Sequence, residues 1–461
     1  MSSKDDLFHL IKSMNKSEKR HFKLNSNNFL EDGKSHYAQL FDAIDKLKTY
    51  DESVLIKKDP KRTYTKNLSS RKAYLYNQLL KNLNEFNRSK SINSQLYHSI
   101  NSINTLHNKG LKKQALQLIK KTKKIAYFHE AYPVLNQIVR LEINITQANP
   151  GKKEMDQSQL LEEMDQLADK IKTETQLSVL LHKILYTYRK QGSIRNKTLN
   201  DELSELLKTD VLHQDLSKES YRAQHCLNQF YILYFKLKGD RKKSYDQALK
   251  DLELIDLYPQ KIKDNLNLYI AVLSNYLFND LRLTNSEAPE FLTNLNKLKD
   301  IPKNYPELTT EIAKVNTRST YYLALLKYYD NLLLIDGLRE VIHEIEQWMD
   351  QEELYQKSSE ITINFNLMAV SFNLSDPKLA LKFCNKILNR KDHHLRQDIY
   401  CFALLINLLI HYDIGNLNQM EYYIKNAERY LKLNNRQFEF EKLLIGFFKI
   451  IALSDLNAKE K

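Results

Sequence analysis

The chain has 461 residues, 42% of them hydrophobic and 28% charged, so it can bury a sizeable core and does not have the composition of a disordered protein. Its eight Gly and eight Pro are too few for the turns of a β-sandwich or barrel, and no apolar run approaches the roughly 20 residues that span a bilayer. The net charge of +13 lies near the start: residues 1–130 hold 26 Lys and Arg against 12 Asp and Glu, which is +14, and leave −1 for the remainder.

The three cysteines, Cys226, Cys384 and Cys401, lie within apolar helical patterns, which is typical of buried free thiols in a reducing compartment. The first residues, MSSKDDLFHL, do not have the organisation of a secretory signal. We therefore expect a cytoplasmic protein that does not associate with membranes.

Residues 1–90 predict a separate basic helical module. Its expected helices run from 5 to 14, from Ser17 onward, from 36 to 48, from Asp51 onward and from 68 to 86. Asp51 and Ser17 are the predicted N-caps, because a side-chain oxygen at that position can accept from a backbone N–H of the first turn. The stretch 59–66 is the expected exposed loop of the module.

From residue 91 onward, apolar residues recur at steps of three and four, and helix breakers fall at a regular spacing. The breakers are Gly110, Gly192, Gly239, Gly337 and Gly415, separated by 82, 47, 98 and 78 residues, with Ser375 in the place of a missing glycine. This spacing of about forty residues, or twice forty, is typical of stacked helical hairpins. Eight hairpins are predicted to begin near residues 95, 128, 175, 215, 261, 307, 358 and 395.

Three segments resemble tetratricopeptide repeats, in which a turn glycine is followed by a helix with small and paired apolar residues at set positions. In IHYDIGNLNQMEYYIKNAERYL the turn is Gly415, and the helix positions are Met420, Tyr423 with Ile424, and Ala427. In the second match the turn is Ser375, and the helix positions are Ala380, Phe383 with Cys384, and Ile387. In the third the turn is Gly110, and the helix positions are Ala115, Leu118 with Ile119, and Thr122. Met420 and Ile387 replace small residues of the family pattern.

The resemblance implies an all-α protein built as a right-handed superhelical stack of antiparallel hairpins, preceded by the N-terminal basic module. The expected division is 1–90 for that module, 91–434 for the repeats, and 435–461 for a capping helix and a short tail. The last helix is apolar enough to contact a partner instead of serving as a cap.

No motif predicts an enzyme, a cofactor or a metal site. Gly33-Lys34-Ser35 has the end of a phosphate-binding loop but Asn28 where the first glycine should stand, and the adjacent His393 and His394 have no third ligand at a suitable spacing. No GxSxG or Cys-centred nucleophile signature is present. We therefore expect a non-enzymatic protein, although a site assembled from distant positions is not excluded by sequence.

The strongest functional feature is a concentration of basic residues in the N-terminal part. The candidate contacts for an anionic partner are Lys57, Lys58, Lys61, Arg62, Arg71, Lys72, Lys112, Lys113, Lys120, Lys123 and Lys124. On the helix that begins near residue 112, Leu111, Ala115, Leu118, Ile119 and Thr122 are predicted to form the apolar face and the lysines the remainder. The alternative interpretation is a solvated, lysine-rich surface.

Two functions follow from these patterns. The first is a scaffold or adaptor that binds a protein or peptide in the concave groove lined by the first helix of each hairpin. The second is a regulator in which residues 1–130 contact nucleic acid, or an acidic protein, while the repeats sense a ligand or partner.

Overall fold

A computed structural model of the protein describes residues 5–25, 36–61, 63–88, 91–147, 157–191, 197–283, 289–351 and 357–459. Every regular element in these residues is helical and none is a strand, so the predicted all-α class is confirmed. The chain divides into two compact units, Met1–Met164 and Asp165–Lys461. The predicted boundary near residue 90 stays a prediction.

The first five helices share one apolar core. They are α1 (Asp6–Ser13), α2 (Lys16–Asn25), α3 (His36–Asp45), α4 (Glu52–Lys57) and α5 (Leu68–Asn87). Phe22, Phe41, Leu55 and Leu75 are among the side chains buried in it, and each is 2% exposed or less. The predicted helix bounds in this region agree with the structure to within a few residues.

The beginning of α2 differs from the prediction. The N-cap is Asn15 and not Ser17: Asn15 Oδ1 accepts from the backbone N–H of Glu18, and a Glu18 carboxylate oxygen accepts from the N–H of Asn15, both at 2.9 Å. This reciprocal pair is a capping box, which uses two donors that the helix cannot satisfy itself. Asp51 is the N-cap of α4 as predicted, since its carboxylate accepts from the N–H of Ser53.

Three further helices in the first unit pack on one another. They are α6 (Ile92–Asn108), α7 (Lys112–Phe128) and α8 (Tyr132–Gln147), and each contacts the other two. A long helix, α9 (Gln157–Gln191), then runs through the boundary into the second unit. The hairpin predicted to begin near residue 175 was wrong, because α9 continues through that position without a turn.

In the part that the structure describes, the second unit continues with fourteen α-helices. They are α10 (Lys197–Leu207), α11 (Tyr221–Lys238), α12 (Arg241–Leu257), α13 (Pro259–Asp264), α14 (Leu266–Leu283), α15 (Pro289–Lys299), α16 (Ile301–Asn304), α17 (Glu311–Asn331), α18 (Ile335–Gln351), α19 (Lys357–Asn373), α20 (Pro377–Leu388), α21 (Gln397–Asp413), α22 (Met420–Leu433) and α23 (Glu439–Lys459). The helices α11, α14, α17, α19, α21 and α23 start 40 to 46 residues after one another.

In the described residues of the second unit, the core includes four apolar clusters. The first joins α9, α10 and α11, and the second extends from α11 to α17. The third lies between α17 and α21, and the last joins α21, α22 and α23. Successive clusters therefore share one helix. In addition, α17 contacts α19, α19 contacts α21, and α21 contacts α23.

The turns between helices use left-handed residues, as the breaker spacing predicted in most cases. Gly110, Gly239 and Gly415 have φ between 74° and 78°, and Ser375 has φ 55°. Glycine has no Cβ to oppose this conformation, so it ends a helix at little cost. Gly192 lies outside the described residues.

Gly337 is an exception to the predicted turns, because it lies inside α18. The left-handed residue between α17 and α18 is Leu333, with φ 55°. The positions that resemble tetratricopeptide repeats are mostly buried: Ala380, Phe383 and Cys384 on α20, and Met420 and Ala427 on α22, each have no exposed area.

Candidate interaction surfaces

The basic residues around α4 and α5 divide into exposed and internally bound groups. Lys57, Lys58 and Lys61 are exposed. Arg71 Nη1 instead donates to the carbonyl of Thr63, and Lys72, only 14% exposed, pairs with the carboxylate of Glu52 and donates to the hydroxyl of Tyr50. Arg62 lies outside the described residues. Among the described residues of this group, Lys57, Lys58 and Lys61 are the ones that present their charge fully to solvent.

The loop between α4 and α5 is built around a buried carboxylate. The stretch 59–66 was expected to be an exposed loop, and Pro60, Lys61 and Lys66 are exposed. Asp59, however, is 4% exposed and accepts from the N–H groups of Thr63, Tyr64 and Thr65, each at 2.8 Å. Burial opposes ionisation of Asp59, but these hydrogen bonds outweigh it and lower the pKa of its carboxyl. The loop therefore has a fixed shape that holds Lys61 at its surface.

The lysines of α7 show the same division. Lys113, Lys120 and Lys124 are exposed and Lys112 is half-buried. Lys123 is 16% exposed, and its ammonium lies 2.9 Å from Glu142 of α8 and 2.7 Å from Glu163 of α9. Burial would lower the pKa of Lys123, but the two carboxylates outweigh that effect and raise it. Lys123 therefore connects α7 with α8 and with the first residues of α9, which belong to the first unit.

The predicted apolar face of α7 agrees with the burial of its side chains. Ala115, Ile119 and Thr122 are at most 2% exposed, and Leu118 is half-buried. Leu111 was wrongly placed on this face, because it precedes the helix and is 40% exposed. The exposed lysines consequently lie away from the core.

A property of the sequence strengthens the positive potential near α7. Residues 86–129 contain nine Lys and Arg and no Asp or Glu. The acidic partners of Lys123 come from outside this stretch, at positions 142 and 163. Because no carboxylate within the stretch neutralises the exposed lysines, their field extends into solvent to about one Debye length.

A different kind of surface lies on α23. Phe440, Leu443, Phe447 and Ile450 are 54% to 74% exposed and follow one another at steps of three, four and three residues. This is the spacing of a coiled-coil seam, which places all four on one side of the helix. We call these four residues the α23 stripe. The opposite side of α23 packs into the core through Ile445 and Phe448.

The tyrosines of α17 contribute mainly to packing between helices. The ring of Tyr328 stacks on Phe291 of α15 with centroids 5.4 Å apart, and the ring of Tyr322 lies 5.6 Å from Trp348 of α18. Tyrosine rings gain both apolar area and ring contacts in such pairs.

The remaining motifs of the sequence do not converge on a site. The described residues include no group of three His, Cys, Asp or Glu close enough to hold a metal ion. His393 contacts the rings of Tyr400 and Tyr430, at 4.7 and 5.6 Å, and Gly33-Lys34-Ser35 lies outside the described part of the chain. Every helix in that part is too short or too polar to cross a bilayer.

Comparison with protein-family models found no match. Comparison with curated proteins and with solved structures found none either. The helices of the described residues therefore assign the chain to the class of all-α proteins.

Proposed function

We propose that this protein is a non-enzymatic helical-repeat scaffold that binds an amphipathic helix of a partner protein. The α23 stripe is the observation that carries the proposal. Four large apolar side chains are exposed to water on one side of a helix. Covering them is favourable by about 25 cal/mol per Å² of apolar surface removed from water. A partner helix with its own apolar seam would cover them in the way that helices dock into apolar grooves.

The arrangement of the second unit supports a repeat scaffold. Its core clusters follow one another through shared helices, and pairs such as α19 with α20 begin at intervals of 40 to 46 residues. Such an array buries each pair against its neighbours and leaves long surfaces for recognition. A tetratricopeptide-like, right-handed superhelix, with a concave groove along α17, α19 and α21, is part of this proposal.

The position of the stripe favours a partner over a cap. A helix whose outer side faces only water normally carries polar residues there. The outer side of α23 is apolar instead, and Leu443 and Ile450 are 74% and 69% exposed. The proposed compartment is the cytoplasm, which the three buried free thiols support.

The test compares two leucines with the same exposure. Leu443 in the stripe is 74% exposed and Leu257, at the end of α12, is 75% exposed. Full-length wild type, Leu443→Glu and Leu257→Glu would be tagged and used to isolate partners from the native cell, with quantitative mass spectrometry. We expect a protein that is retained by wild type and Leu257→Glu and lost with Leu443→Glu.

Self-association is measured in parallel by light scattering after size-exclusion chromatography. A dimer that dissociates only in Leu443→Glu would identify a second copy of the chain as the occupant of the stripe. Equal recovery of every protein by all three variants, together with a monomeric wild type, would contradict the proposal.

A second candidate function is binding of nucleic acid by the first unit. The exposed lysines of α7, within a stretch free of carboxylates, favour it. Lysine contacts to phosphates release counterions, so such binding should weaken steeply as salt increases. An acidic protein surface would be attracted by the same residues.

The second candidate is tested with a triple variant, Lys113→Gln, Lys120→Gln and Lys124→Gln. The control changes three exposed lysines of the second unit to glutamine, Lys218, Lys242 and Lys263, and so has the same net charge. We expect only the first variant to lose affinity for duplex DNA or RNA and to show a shallower salt dependence. Equal losses in both would indicate an effect of net charge alone.

A further inference from the structure

One side of α17 carries a row of polar and aromatic residues that the proposed scaffold function does not use. Lys314, Thr317, Arg318, Tyr321 and Tyr322 are spaced at steps of three, one, three and one, which places them together on a helix. With Lys299 from the end of α15 they line a cavity of about 440 Å³. Cavities of about 300–1,000 Å³ commonly hold small organic ligands.

The charge of the cavity is positive. Lys299, Lys314 and Arg318 are cationic, and none of the lining side chains is acidic. One carboxylate lies close by, that of Glu344, which forms a hydrogen bond with Tyr322, so the cations remain in excess. Lys314 pairs with Glu311 at 2.8 Å, but both side chains are at least half exposed, so this pair is weak in water. An anionic group of a ligand could therefore replace the carboxylate of Glu311 at little cost.

Aromatic rings hold two of the three cations in place. Lys299 Nζ lies 5.5 Å from the centre of the Tyr321 ring, and the guanidinium of Arg318 lies 5.9 Å from that of Trp348. Tyr322 in turn contacts Trp348. Cations that are ordered before binding lose less entropy when a ligand arrives.

We infer that this cavity binds a small phosphorylated molecule with a planar ring, the chemistry of a nucleoside phosphate. Phosphate oxygens accept from Lys299, Lys314 and Arg318, and charged hydrogen bonds of this kind are the strong ones. The planar ring packs against the tyrosines, since aromatic surfaces stack on any base. The inference does not depend on the proposed partner for α23.

Binding can be followed through Trp348, the only tryptophan of the chain, because it contacts both Arg318 and Tyr322. The probes are adenosine monophosphate, inorganic phosphate and adenosine, added to the full-length protein in a fluorescence titration that calorimetry repeats. We expect adenosine monophosphate to bind more tightly than either fragment.

The variants are Lys299→Gln and Lys314→Gln, with Lys303→Gln as the control. Lys303 is an exposed lysine of α16 that does not line the cavity. Loss of one charged hydrogen bond corresponds to a weakening of about 10-fold or more in each variant. We expect the control to bind like the wild type, and circular dichroism establishes that each variant is folded.

Several outcomes would overturn the inference. They are no binding of adenosine monophosphate at millimolar concentration, or equal affinity of Lys299→Gln and Lys303→Gln. If adenosine bound as tightly as adenosine monophosphate, the phosphate group would not contribute to recognition. If inorganic phosphate bound as tightly, the planar ring would not contribute. Preference for an acidic peptide over all three probes would assign the cavity to a protein partner instead.

Discussion

The ring of Tyr329 occupies the space that a side chain at Gly337 would need. A Cβ built on Gly337 would lie 2.8 Å from Cε1 of Tyr329 and 2.9 Å from Cδ1. The two residues belong to α17 and α18, which contact each other. Glycine at this position therefore allows the two helices to pack closely, and it is not part of a turn.

The first prediction compares two glycines inside helices. Gly337→Ala should destabilise the protein by about 1–3 kcal/mol, because the methyl group overlaps with the Tyr329 ring. Gly446→Ala in α23 should stabilise it by about 0.5–1 kcal/mol, since a Cβ there meets no atom within 4 Å and alanine favours the helix. Denaturant unfolding measures both, and a stabilising Gly337→Ala would show that the ring moves freely.

The second prediction concerns the loop around Asp59. Asp59→Asn should lower the free energy of unfolding by about 2–3 kcal/mol, because one amide oxygen cannot replace two carboxylate oxygens that accept from three N–H groups. Asp51→Asn, the matched control, should change it little, since asparagine is an equally good N-cap. Equal effects of the two substitutions would mean that the buried carboxylate does not hold the loop.

A third prediction separates two functions of an N-cap serine. Ser220 accepts from the N–H of Ala223 at the start of α11 and donates to the carboxylate of Glu174, which is 6% exposed. Thr310 caps α17 through the N–H of Ala313. Thr310→Ala should cost about 1 kcal/mol, and Ser220→Ala about 2–3 kcal/mol because a buried charged hydrogen bond is also lost. Thermal unfolding distinguishes the two, and equal shifts in Tm would count against the contribution of Glu174.

The fourth prediction concerns thiol reactivity. Cys226, Cys384 and Cys401 are buried, and burial raises the pKa of Cys226 to about 11 and that of Cys384 to about 12. The thiolate is the reactive form, so neither thiol should react at neutral pH in the folded protein. Titration with a chromogenic disulfide should detect no fast thiol before unfolding and three afterwards. A rapidly reacting thiol would place one cysteine at an accessible surface.

The fifth prediction is a dependence of stability on pH. Burial lowers the pKa of His411, whose ring stacks on Tyr423 with centroids 4.1 Å apart. As the pH falls below about 6.5, the unfolded chain takes up a proton at His411 before the folded chain does, so folding stability decreases. His411→Gln should lose less stability between pH 7 and pH 5 than the wild type, measured by urea unfolding. A variant with the same pH profile would assign the effect to other groups.

Sequence patterns predicted the helices well because the apolar period and the turn residues act locally. Gly110, Gly239, Gly415 and Ser375 all take the left-handed conformation that their positions indicated. The turn at Leu333 was missed because leucine rarely adopts positive φ, and only the packing of α17 on α18 explains it. The Asn15 cap was missed because Ser17 offered a similar side chain two residues away.

The candidate surfaces were less predictable, since they depend on which charges find partners across the fold. Nothing in the sequence near Lys123 indicates Glu142 or Glu163, which are 19 and 40 residues away. The row on α17 is visible as helical spacing, but the cavity also needs Lys299 from the end of α15. Such features become apparent only when helices distant in the chain are placed side by side.

The linked core clusters of the second unit have a consequence for how the protein is made. Each cluster draws on helices that follow closely along the chain, as α21, α22 and α23 do. Little loop-closure entropy opposes contacts of this kind, which generally form quickly. During synthesis, each cluster could therefore bury its apolar side chains once its own helices have left the ribosome. The helices that follow along the chain would not yet be needed.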